Sequence, residues 1–261
     1  MRLHFDQPVV GYMTRDLETA RVDTPVDQIA RMMQSRDISG LPILDGRGHV
    51  VGVVSRTDLI QLGILLGRRP SDPTLALPAR RASDVMTHGA TSVNSSTSLR
   101  HAARTLIDND IHRVFVTEGG QLAGVVCSVD LVAAVRDARL DTPVHSVMTA
   151  PIVTIDIRES LGAAIDRLER FHITGLIVTE DGQPIGMFTQ RNALASRDQP
   201  RSTPVEAVYD AAVICLPGET KLHRVAAHIT DLRARRVVVC KAHEPVGIVS
   251  ATDFVRVIAQ A

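Results

Sequence analysis

The heptapeptide Gly52-Val-Val-Ser-Arg-Thr-Asp58 decides the fold of this chain, because it recurs three more times. It returns as Gly124-Val-Val-Cys-Ser-Val-Asp130, Gly186-Met-Phe-Thr-Gln-Arg-Asn192 and Gly247-Ile-Val-Ser-Ala-Thr-Asp253. Repetition with a period of about 60 to 70 residues indicates several copies of one structural unit, and it constrains the architecture more than any local pattern does. We call this stretch the closing motif.

The residues before the closing motif predict the elements of each copy. Every copy begins with a short marker: Tyr12-Met13-Thr14, Val85-Met86-Thr87, Val147-Met148-Thr149 and the degraded Val208-Tyr209-Asp210. A β-branched run follows, clearest at residues 152–155 and 212–215, and predicts a strand. Apolar residues then recur at i, i+3, i+4 and i+7, which predicts one buried helix face. These residues are Val26/Ile29/Ala30/Met33, Leu99/Ala102/Ala103/Leu106, Leu161/Ala164/Ile165/Leu168 and Leu222/Val225/Ala226/Ile229.

Two further strands joined by a glycine-rich turn lead into the closing motif, and a second helix follows it. The sequence therefore predicts an α+β fold made of four β-α-β-β-α units. We expect the copies at residues 5–66, 83–139, 143–198 and 203–261, with a linker at 67–82. The insertion around this linker holds Pro70, Pro73 and Pro78 and the arginines Arg68, Arg69, Arg80 and Arg81. This composition favours a solvated, semi-extended linker, and an arm that docks a partner is the alternative.

Composition excludes several classes of function. Lys+Arg and Asp+Glu balance at 29 each and only 3% of the residues are aromatic, so we expect no nucleic-acid partner. No apolar run approaches the ~18 residues of a spanning helix, and no signal peptide is evident, which predicts a soluble, cytoplasmic protein without a membrane partner. Cys127, Cys215 and Cys240 lie in apolar runs and are expected to be buried free thiols in a reducing compartment. No catalytic motif or metal-ligand spacing stands out, so we expect no catalytic residue, catalytic cofactor or metal site.

The closing motif has two physical interpretations. Ser-x-x-Asp before an apolar helix is a variant of the capping box, in which Ser55 or Ser250 would cap backbone N–H groups and the acid would lie in the first helical turn. The same geometry suits a ligand, since glycine permits close approach, a helix N-terminus favours anions, and a carboxylate can accept two hydrogen bonds from a ribose diol.

The markers, the strand Ser39-Gly-Leu-Pro-Ile-Leu-Asp45 and the closing motif together resemble cystathionine-β-synthase (CBS) domains, over nearly the whole chain. In that family the domains work as tandem pairs called Bateman modules. The resemblance implies that copies one and two form one module and copies three and four the other. Within each module the helices would pack around a pseudo-twofold axis and leave two clefts, and the two modules would stack as a flat disk.

The resemblance also implies roles for individual residues in binding an adenosine nucleotide. Ribose would contact Asp58, Asp130, Asn192 and Asp253, and hydroxyl groups assisting ribose or phosphate would come from Ser55, Thr57, Thr189, Ser250 and Thr252. Phosphate would contact His112, Arg113, Arg235 and Arg236, because a His-Arg pair in the same position contacts phosphate in the regulatory subunit of AMP-activated protein kinase. Arg56 and Arg191, inside the closing motif, are further candidates for phosphate. Adenine would lie against Gly40, Leu41 and Pro42.

The copies are not expected to bind equally. Copies one and four keep serine, threonine and aspartate together, whereas copy two has Cys127 and Val129 in place of hydroxyl residues and copy three has the uncharged Asn192. We therefore expect binding in copies one and four before copy three, and copy three before copy two.

The leading hypothesis is a non-catalytic regulatory module, forming a homodimer, that binds AMP, ADP or ATP and signals to an unidentified regulated protein. A ligand-free scaffold for dimerisation or interaction is an alternative, and so is a sensor of another ribose-bearing ligand such as S-adenosylmethionine or a dinucleotide. An enzyme is the least favoured hypothesis, because four repeats occupy the chain.

Overall fold

A computed structural model describes residues 4–64 and 69–261 of the chain. Each copy has the predicted order of strand, helix, strand, strand and helix, so the α+β repeat architecture is confirmed. The helices are α1 (Val26–Ser35), α2 (Arg56–Ile64), α3 (Leu99–Asp108), α4 (Ser128–Asp137), α5 (Leu161–Arg170), α6 (Gln190–Ala195), α7 (Leu222–Asp231) and α8 (Ala251–Gln260).

Each copy contributes a small mixed sheet. Its first and second strands pair in parallel and are connected by the first helix. The second and third strands pair antiparallel and are connected by the tight turn. The strands are β1 (Ala20–Arg21), β2 (Gly40–Leu44), β3 (Val50–Ser55), β4 (Thr87–His88), β5 (Ser92–Asn94), β6 (Arg113–Glu118), β7 (Gln121–Cys127), β8 (Thr154–Asp156), β9 (Gly175–Glu180), β10 (Gln183–Thr189), β11 (Cys215–Pro217), β12 (Arg236–Lys241) and β13 (Glu244–Ser250).

The apolar helix faces that the sequence predicts are confirmed. All sixteen of these side chains are buried, and none is more than 4% exposed. A fully buried aliphatic side chain contributes about 1.5–3 kcal/mol relative to an exposed one, so these faces supply much of the stability. With few aromatic residues available, the core is aliphatic, as the composition predicts.

The chain forms two compact units that do not follow the tandem order. Copies two and four form one unit, from the described residues of Met1–Leu17, Thr91–Ile152 and Ile214–Ala261, and copies one and three form the other, from Glu18–Ala90 and Val153–Val213. We call them the even pair and the odd pair. In the even pair α3 contacts α8 and α4 contacts α7 and α8, and in the odd pair α2 contacts α6. The expectation that helices pack copy one on copy two, and copy three on copy four, is therefore wrong.

Tandem neighbours are connected instead through their markers. The marker of copy two supplies β4, which pairs with β3 of copy one, and Thr14 of the first marker bridges Val125 in β7. Copies three and four exchange markers in the same way, through bridges from Thr149 to Ile248 and from Asp210 to Met187. The sequence shows that the helix faces are apolar but does not show which copy each face packs against. This explains why the predicted helix partners are wrong.

The closing-motif glycines of copies one and two are required by this exchange, because backbone of the exchanged marker lies against them. A Cβ added at Gly52 would lie 2.7 Å from Met86 Sδ and 2.7 Å from the carbonyl oxygen of Thr87. At Gly124 it would lie 2.7 Å from the carbonyl oxygen of Thr14. The sequence interpretation, in which glycine makes room for a ligand, is therefore wrong at these positions, because the marker of the neighbouring copy occupies the space.

Part of the insertion after copy one is docked on the odd pair. Thr74 is fully buried and Leu75 is 1% exposed within the apolar core. The Thr74 N–H and hydroxyl both donate to the carbonyl oxygen of Gln199, at 2.8 and 2.6 Å, and the Leu75 N–H donates to the carbonyl oxygen of Arg197. The preferred interpretation of a solvated linker is wrong for this part, and Arg68 lies outside the described residues.

Two local expectations also need correction. The predicted strands at residues 152–155 and 212–215 begin later, at Thr154 and Cys215, because only the later residues pair with the central strand. Cys215 is exposed at the start of an edge strand rather than buried, while Cys127 and Cys240 are half-buried. In residues 4–64 and 69–261 no helix combines the length and apolar character needed to cross a bilayer.

We predict that Gly52→Ala destabilises the protein by about 1–3 kcal/mol, because the added methyl group overpacks the contact with Met86 and the backbone of Thr87. Gly46→Ala is the matched control, since an added Cβ there meets nothing within 4 Å. Urea unfolding monitored by circular dichroism would measure both variants. Equal stability of the two variants would contradict the role assigned to Gly52.

Candidate functional site

The acid of the closing motif caps its own helix. In copy one, Oδ2 of Asp58 accepts hydrogen bonds from the Ser55 N–H and the Ser55 hydroxyl, both at 2.7 Å, and the Asp58 N–H donates to Ser55 Oγ at 3.3 Å. Reciprocal bonds of this kind are a capping box. Among the described residues Oδ1 of the half-buried Asp58 accepts no hydrogen bond, so this carboxylate keeps acceptor capacity.

In copy four the acid is fully engaged. Asp253 is 2% exposed. Its Oδ2 accepts from the Ser250 N–H at 2.7 Å and the Ser250 hydroxyl at 3.0 Å. Its Oδ1 accepts from the Thr149 hydroxyl at 3.0 Å and from Arg256 Nη1 at 2.8 Å. These four contacts fill the roughly four lone-pair positions of a carboxylate.

The amide that replaces the acid in copy three is also engaged. Oδ1 of Asn192 accepts from the Thr189 N–H and hydroxyl, at 3.0 and 2.6 Å. Its Nδ2 donates to the carbonyl oxygen of Val208, in the marker of copy four, at 3.1 Å. This residue therefore connects the cap of α6 to the neighbouring marker.

Among the closing motifs, the acid of copy two accepts the fewest hydrogen bonds from described residues. Oδ2 of Asp130 accepts from the Cys127 N–H at 2.7 Å, and the thiol replaces the hydroxyl that serine would offer. Burial raises the pKa of Asp130 to about 6, although the Cys127 N–H opposes the shift. Burial also raises the pKa of the Cys127 thiol to about 11, so this thiol stays protonated at neutral pH.

The arginines inside the closing motifs of the odd pair meet one acid. Arg56 is 6% exposed, and its Nη2 donates to Oδ1 of Asp37 at 3.1 Å. Nε of Arg191 lies 3.5 Å from the same oxygen. Beside them, Gln190 Nε2 donates to the Thr57 hydroxyl at 3.1 Å. Arg56 and Arg191 thus join copies one and three through Asp37, a contact that competes with the phosphate role predicted for both.

The other basic candidates come together in the even pair. His112 of copy two and Arg236 of copy four lie close enough for their charges to interact, and the charges of Arg113 and Arg235 both reach the Cys127 thiol. Burial, and then the charge of Arg235, lowers the pKa of Arg236 to about 10. Burial, with the charges of Arg113 and Arg236, also lowers the pKa of His112. We call these four residues the basic cluster.

A small cavity lies between copies two and four. It measures about 90 Å³ and is lined by apolar side chains together with Asp110, His112, Ser128, Thr252 and Arg256. Ligand pockets for drug-sized molecules measure ~300–1,000 Å³, so this cavity is too small to enclose a nucleotide. Thr252, a predicted hydroxyl contact, lines this cavity from the first turn of helix α8.

The predicted adenine residues divide between the two faces of strand β2. Leu41 is fully buried in the core of the odd pair, so its role is structural. Pro42 points to the opposite face, because side chains alternate along a strand, and Gly40 is half-buried at the start of the strand. Sequence reasoning missed Asp37, Gln190, Thr149 and Arg256 as partners of the motif residues, although Gln190 lies within a closing motif and Thr149 within a marker. Among the described residues, no three His, Cys, Asp or Glu side chains gather as metal ligands.

Comparison with known proteins decides the family. The CBS domain family matches residues 9–64, 82–137, 144–197 and 205–260. The chain belongs to the CBS domain family. It holds four CBS domains, the number found in two Bateman modules, and CBS-domain proteins are generally regulatory.

Relatives support the same fold. Protein MJ1404 from Methanocaldococcus jannaschii is 25% identical, with the match covering 99% of this chain and 63% of the relative. The chain thus spans about two thirds of that relative's length. The crystal structure of MJ1225 from the same organism, described as a proposed archaeal homologue of g-AMPK, has a TM-score of 0.83 at 16% identity, covering 97% of this chain and all of that one.

A third relative matches part of the chain. CBSX2, a chloroplastic CBS-domain protein of Arabidopsis thaliana, is 27% identical over 51% of this chain and 66% of its own length. A crystal structure of CBSX2 in complex with AMP covers 51% of this chain and 96% of that one, at 26% identity and a TM-score of 0.42.

We predict that Asp253→Ala costs more stability than Asp58→Ala. Loss of an N-terminal cap costs about 1 kcal/mol, which is the expected effect at Asp58. At Asp253 the hydrogen bonds from Thr149 and Arg256 are lost as well, and the expected cost is about 2–3 kcal/mol. Urea unfolding of both variants tests this, and equal costs would show that the additional contacts contribute nothing.

We predict that Asp130 makes stability fall as the pH rises from about 4 to about 6. Burial raises the pKa of this carboxyl to about 6 in the folded state, while its value in the unfolded chain is ~3.9. The folded state therefore binds more protons in this interval, and its stability decreases as they are released. Asp130→Asn keeps an acceptor for the Cys127 N–H but does not titrate, so the unfolding free energy of wild type minus that of the variant should fall from about pH 4 to about pH 6 and then change no further. A constant difference from pH 4 to 8 would contradict the raised pKa.

Proposed function

We propose that this CBS-domain protein is a non-catalytic regulatory module that binds an adenosine nucleotide, AMP, ADP or ATP, and signals occupancy to a partner protein. In the even pair the basic cluster would hold phosphate groups, and in the odd pair the carboxylate of Asp58 would hold a ribose. The dimeric state, the cytoplasmic location and the identity of the regulated protein are parts of this proposal. The repeat boundaries at residues 5–66, 83–139, 143–198 and 203–261 are kept as proposed domain limits.

The observation that carries the proposal is the basic cluster of the even pair. His112 and Arg113 come from copy two and Arg235 and Arg236 from copy four, although the two pairs of residues are far apart in sequence. Guanidinium groups bind phosphate oxygens through paired, charge-assisted hydrogen bonds. Burial, and then the charge of Arg235, lowers the pKa of Arg236, and a phosphate group beside these residues would stabilise their charged forms.

The ribose part of the proposal depends on Asp58. Its Oδ2 caps α2, while its Oδ1 has acceptor capacity left for the two hydroxyl groups of a ribose. The capping bonds fix the orientation of the carboxylate before a ligand arrives, and this reduces the entropy lost on binding. AMP, which is bound by CBSX2, is the first ligand to test.

A signal could pass from Asp58 into the core over a short distance. The next residue, Leu59, is fully buried in the core of the odd pair, and α2 packs against α6 of copy three. A ligand that displaces the first turn of α2 would therefore change the packing between copies one and three. The size of this response is limited by the difference in ligand affinity between the two packing states.

A ligand-free interaction scaffold is the second candidate function. It is favoured by the observation that the acid or amide of every closing motif caps its own helix. If capping is the whole purpose of these residues, the repeats would serve only to present a surface to another protein.

Nucleotide binding by the purified protein separates the two functions. We expect AMP, ADP or ATP to raise the melting temperature, because ligand that binds only the folded state stabilises it by RT ln(1 + [L]/Kd). Guanine nucleotides, a dinucleotide and S-adenosylmethionine complete the panel. Absence of any shift at millimolar ligand, confirmed by calorimetry, would favour the scaffold.

The basic cluster makes a more specific prediction. Arg235→Ala should weaken binding of ATP about tenfold or more, because a hydrogen bond to a charged group contributes about 1.5–3 kcal/mol, while binding of adenosine changes little. Arg224→Ala removes an exposed arginine on α7 outside the cluster and is the matched control. Equal losses for ATP and adenosine would contradict the phosphate assignment.

A further inference from the structure

The closing motifs of copies one and four are alike in sequence but differ in structure. Both read Ser-x-Thr-Asp, ending in Asp58 and Asp253. Asp58 is half-buried and uses one carboxylate oxygen for its cap. Asp253 is 2% exposed and uses both, since Thr149 and Arg256 occupy the second oxygen.

The difference comes from two residues outside the motif. Arg256 lies three residues after Asp253 on α8, where i and i+3 side chains are neighbours. The corresponding residues are Gln61 in copy one, Ala133 in copy two and Ala195 in copy three, so this position is cationic in copy four alone. Thr149, in the marker of copy three, donates to Asp253, whereas among the described residues Thr87, in the marker of copy two, forms no hydrogen bond to Asp58.

We propose that Arg256 and Thr149 form a latch that closes the acid of copy four to ribose-bearing ligands and leaves Asp58 as the open acid of the two Ser-x-Thr-Asp motifs. This inference rests on the proposed nucleotide binding and specifies where it occurs. Copies one and four look equivalent in sequence, but the inference is that they bind ribose unequally.

The latch acts by competition for acceptor positions. A ribose diol needs two acceptor positions, and the four contacts at Asp253 leave none. Binding there would first have to break a charge-assisted bond to Arg256 and a hydroxyl bond to Thr149, within a nearly inaccessible site. Asp58 needs no such rearrangement, because its Oδ1 accepts no bond from the described residues.

Replacement of each acid by its amide tests the assignment. Asparagine keeps an oxygen for the capping N–H and removes the charge that strengthens bonds to a diol. Asp58→Asn should weaken binding of AMP about tenfold, and Asp253→Asn should leave the Kd within about twofold. Calorimetry with AMP and ATP measures both variants, and circular dichroism confirms that they fold. If Asp253→Asn weakens binding as much as Asp58→Asn does, the inference is overturned.

Release of the latch provides a test by gain of binding. Arg256→Ala combined with Thr149→Val frees Oδ1 of Asp253, and calorimetry should find one more AMP bound per chain than in the wild type. Gln61→Ala changes the equivalent position of copy one and is the matched control, with no change in the number bound. If the double variant does not fold, Arg256→Ala alone removes the charged contact from an arginine whose side chain is 53% exposed. An unchanged number of bound nucleotides in the folded variant would overturn the latch.

The outcomes distinguish this inference from the proposed function. If wild type binds no ribose-bearing ligand, both fail. If wild type binds AMP and only Asp253→Asn weakens binding, nucleotide binding stands and the latch is wrong. If Asp58→Asn weakens binding about tenfold and latch release adds a site, both stand.

Discussion

The contact between a closing-motif glycine and the marker of the neighbouring copy is the constraint on which the other features depend. At Gly52 and Gly124 a side chain would collide with marker backbone as well as with a methionine. This contact holds each marker against the last strand of the neighbouring copy, where the closing motif that contains the capping residue begins. It also brings marker groups to that acid, as when Thr149 reaches Asp253 and the carbonyl oxygen of Val208 reaches Asn192. The packing that builds the repeat thus also determines which motif residues have hydrogen-bonding capacity left.

Much of the fold was predictable from sequence because it is encoded locally. Period and apolar spacing were enough to predict the four units and the buried faces of α1, α3, α5 and α7. The pairing of copies was not predictable in this way, since Leu99 and Leu161 are equally apolar and neither identifies its partner. The buried insertion was missed for a related reason, because a proline-rich composition does not show that Leu75 enters a core.

The candidate site was predictable in its residue types but not in their surroundings. The sequence identified Asp58 and Asp253 as equivalent, and their difference depends on Arg256, a residue that looks like an ordinary surface arginine. Likewise, Arg56 and Arg191 matched the expected cations for phosphate, but both contact Asp37, Arg56 within copy one and Arg191 from copy three. At the equivalent motif positions of the even pair, Ser128 and Thr252 line a cavity. Identical backbone units therefore carry different charge arrangements, and only the three-dimensional contacts separate them.

The pairing of alternate copies has a consequence for the order in which the chain is synthesised. The buried face of α1 is completed by copy three, whose helix α5 begins about 135 residues later in the sequence. At a translation rate of ~5–20 residues per second this interval is on the order of ten seconds. During that time the helix faces of copies one and two that pack within the odd and even pairs lack their native partners, since copy four completes the even pair last. A delay in synthesis of the second half of the chain should therefore increase aggregation and chaperone binding. A chain interrupted after copy two would carry two incomplete cores instead of one finished domain.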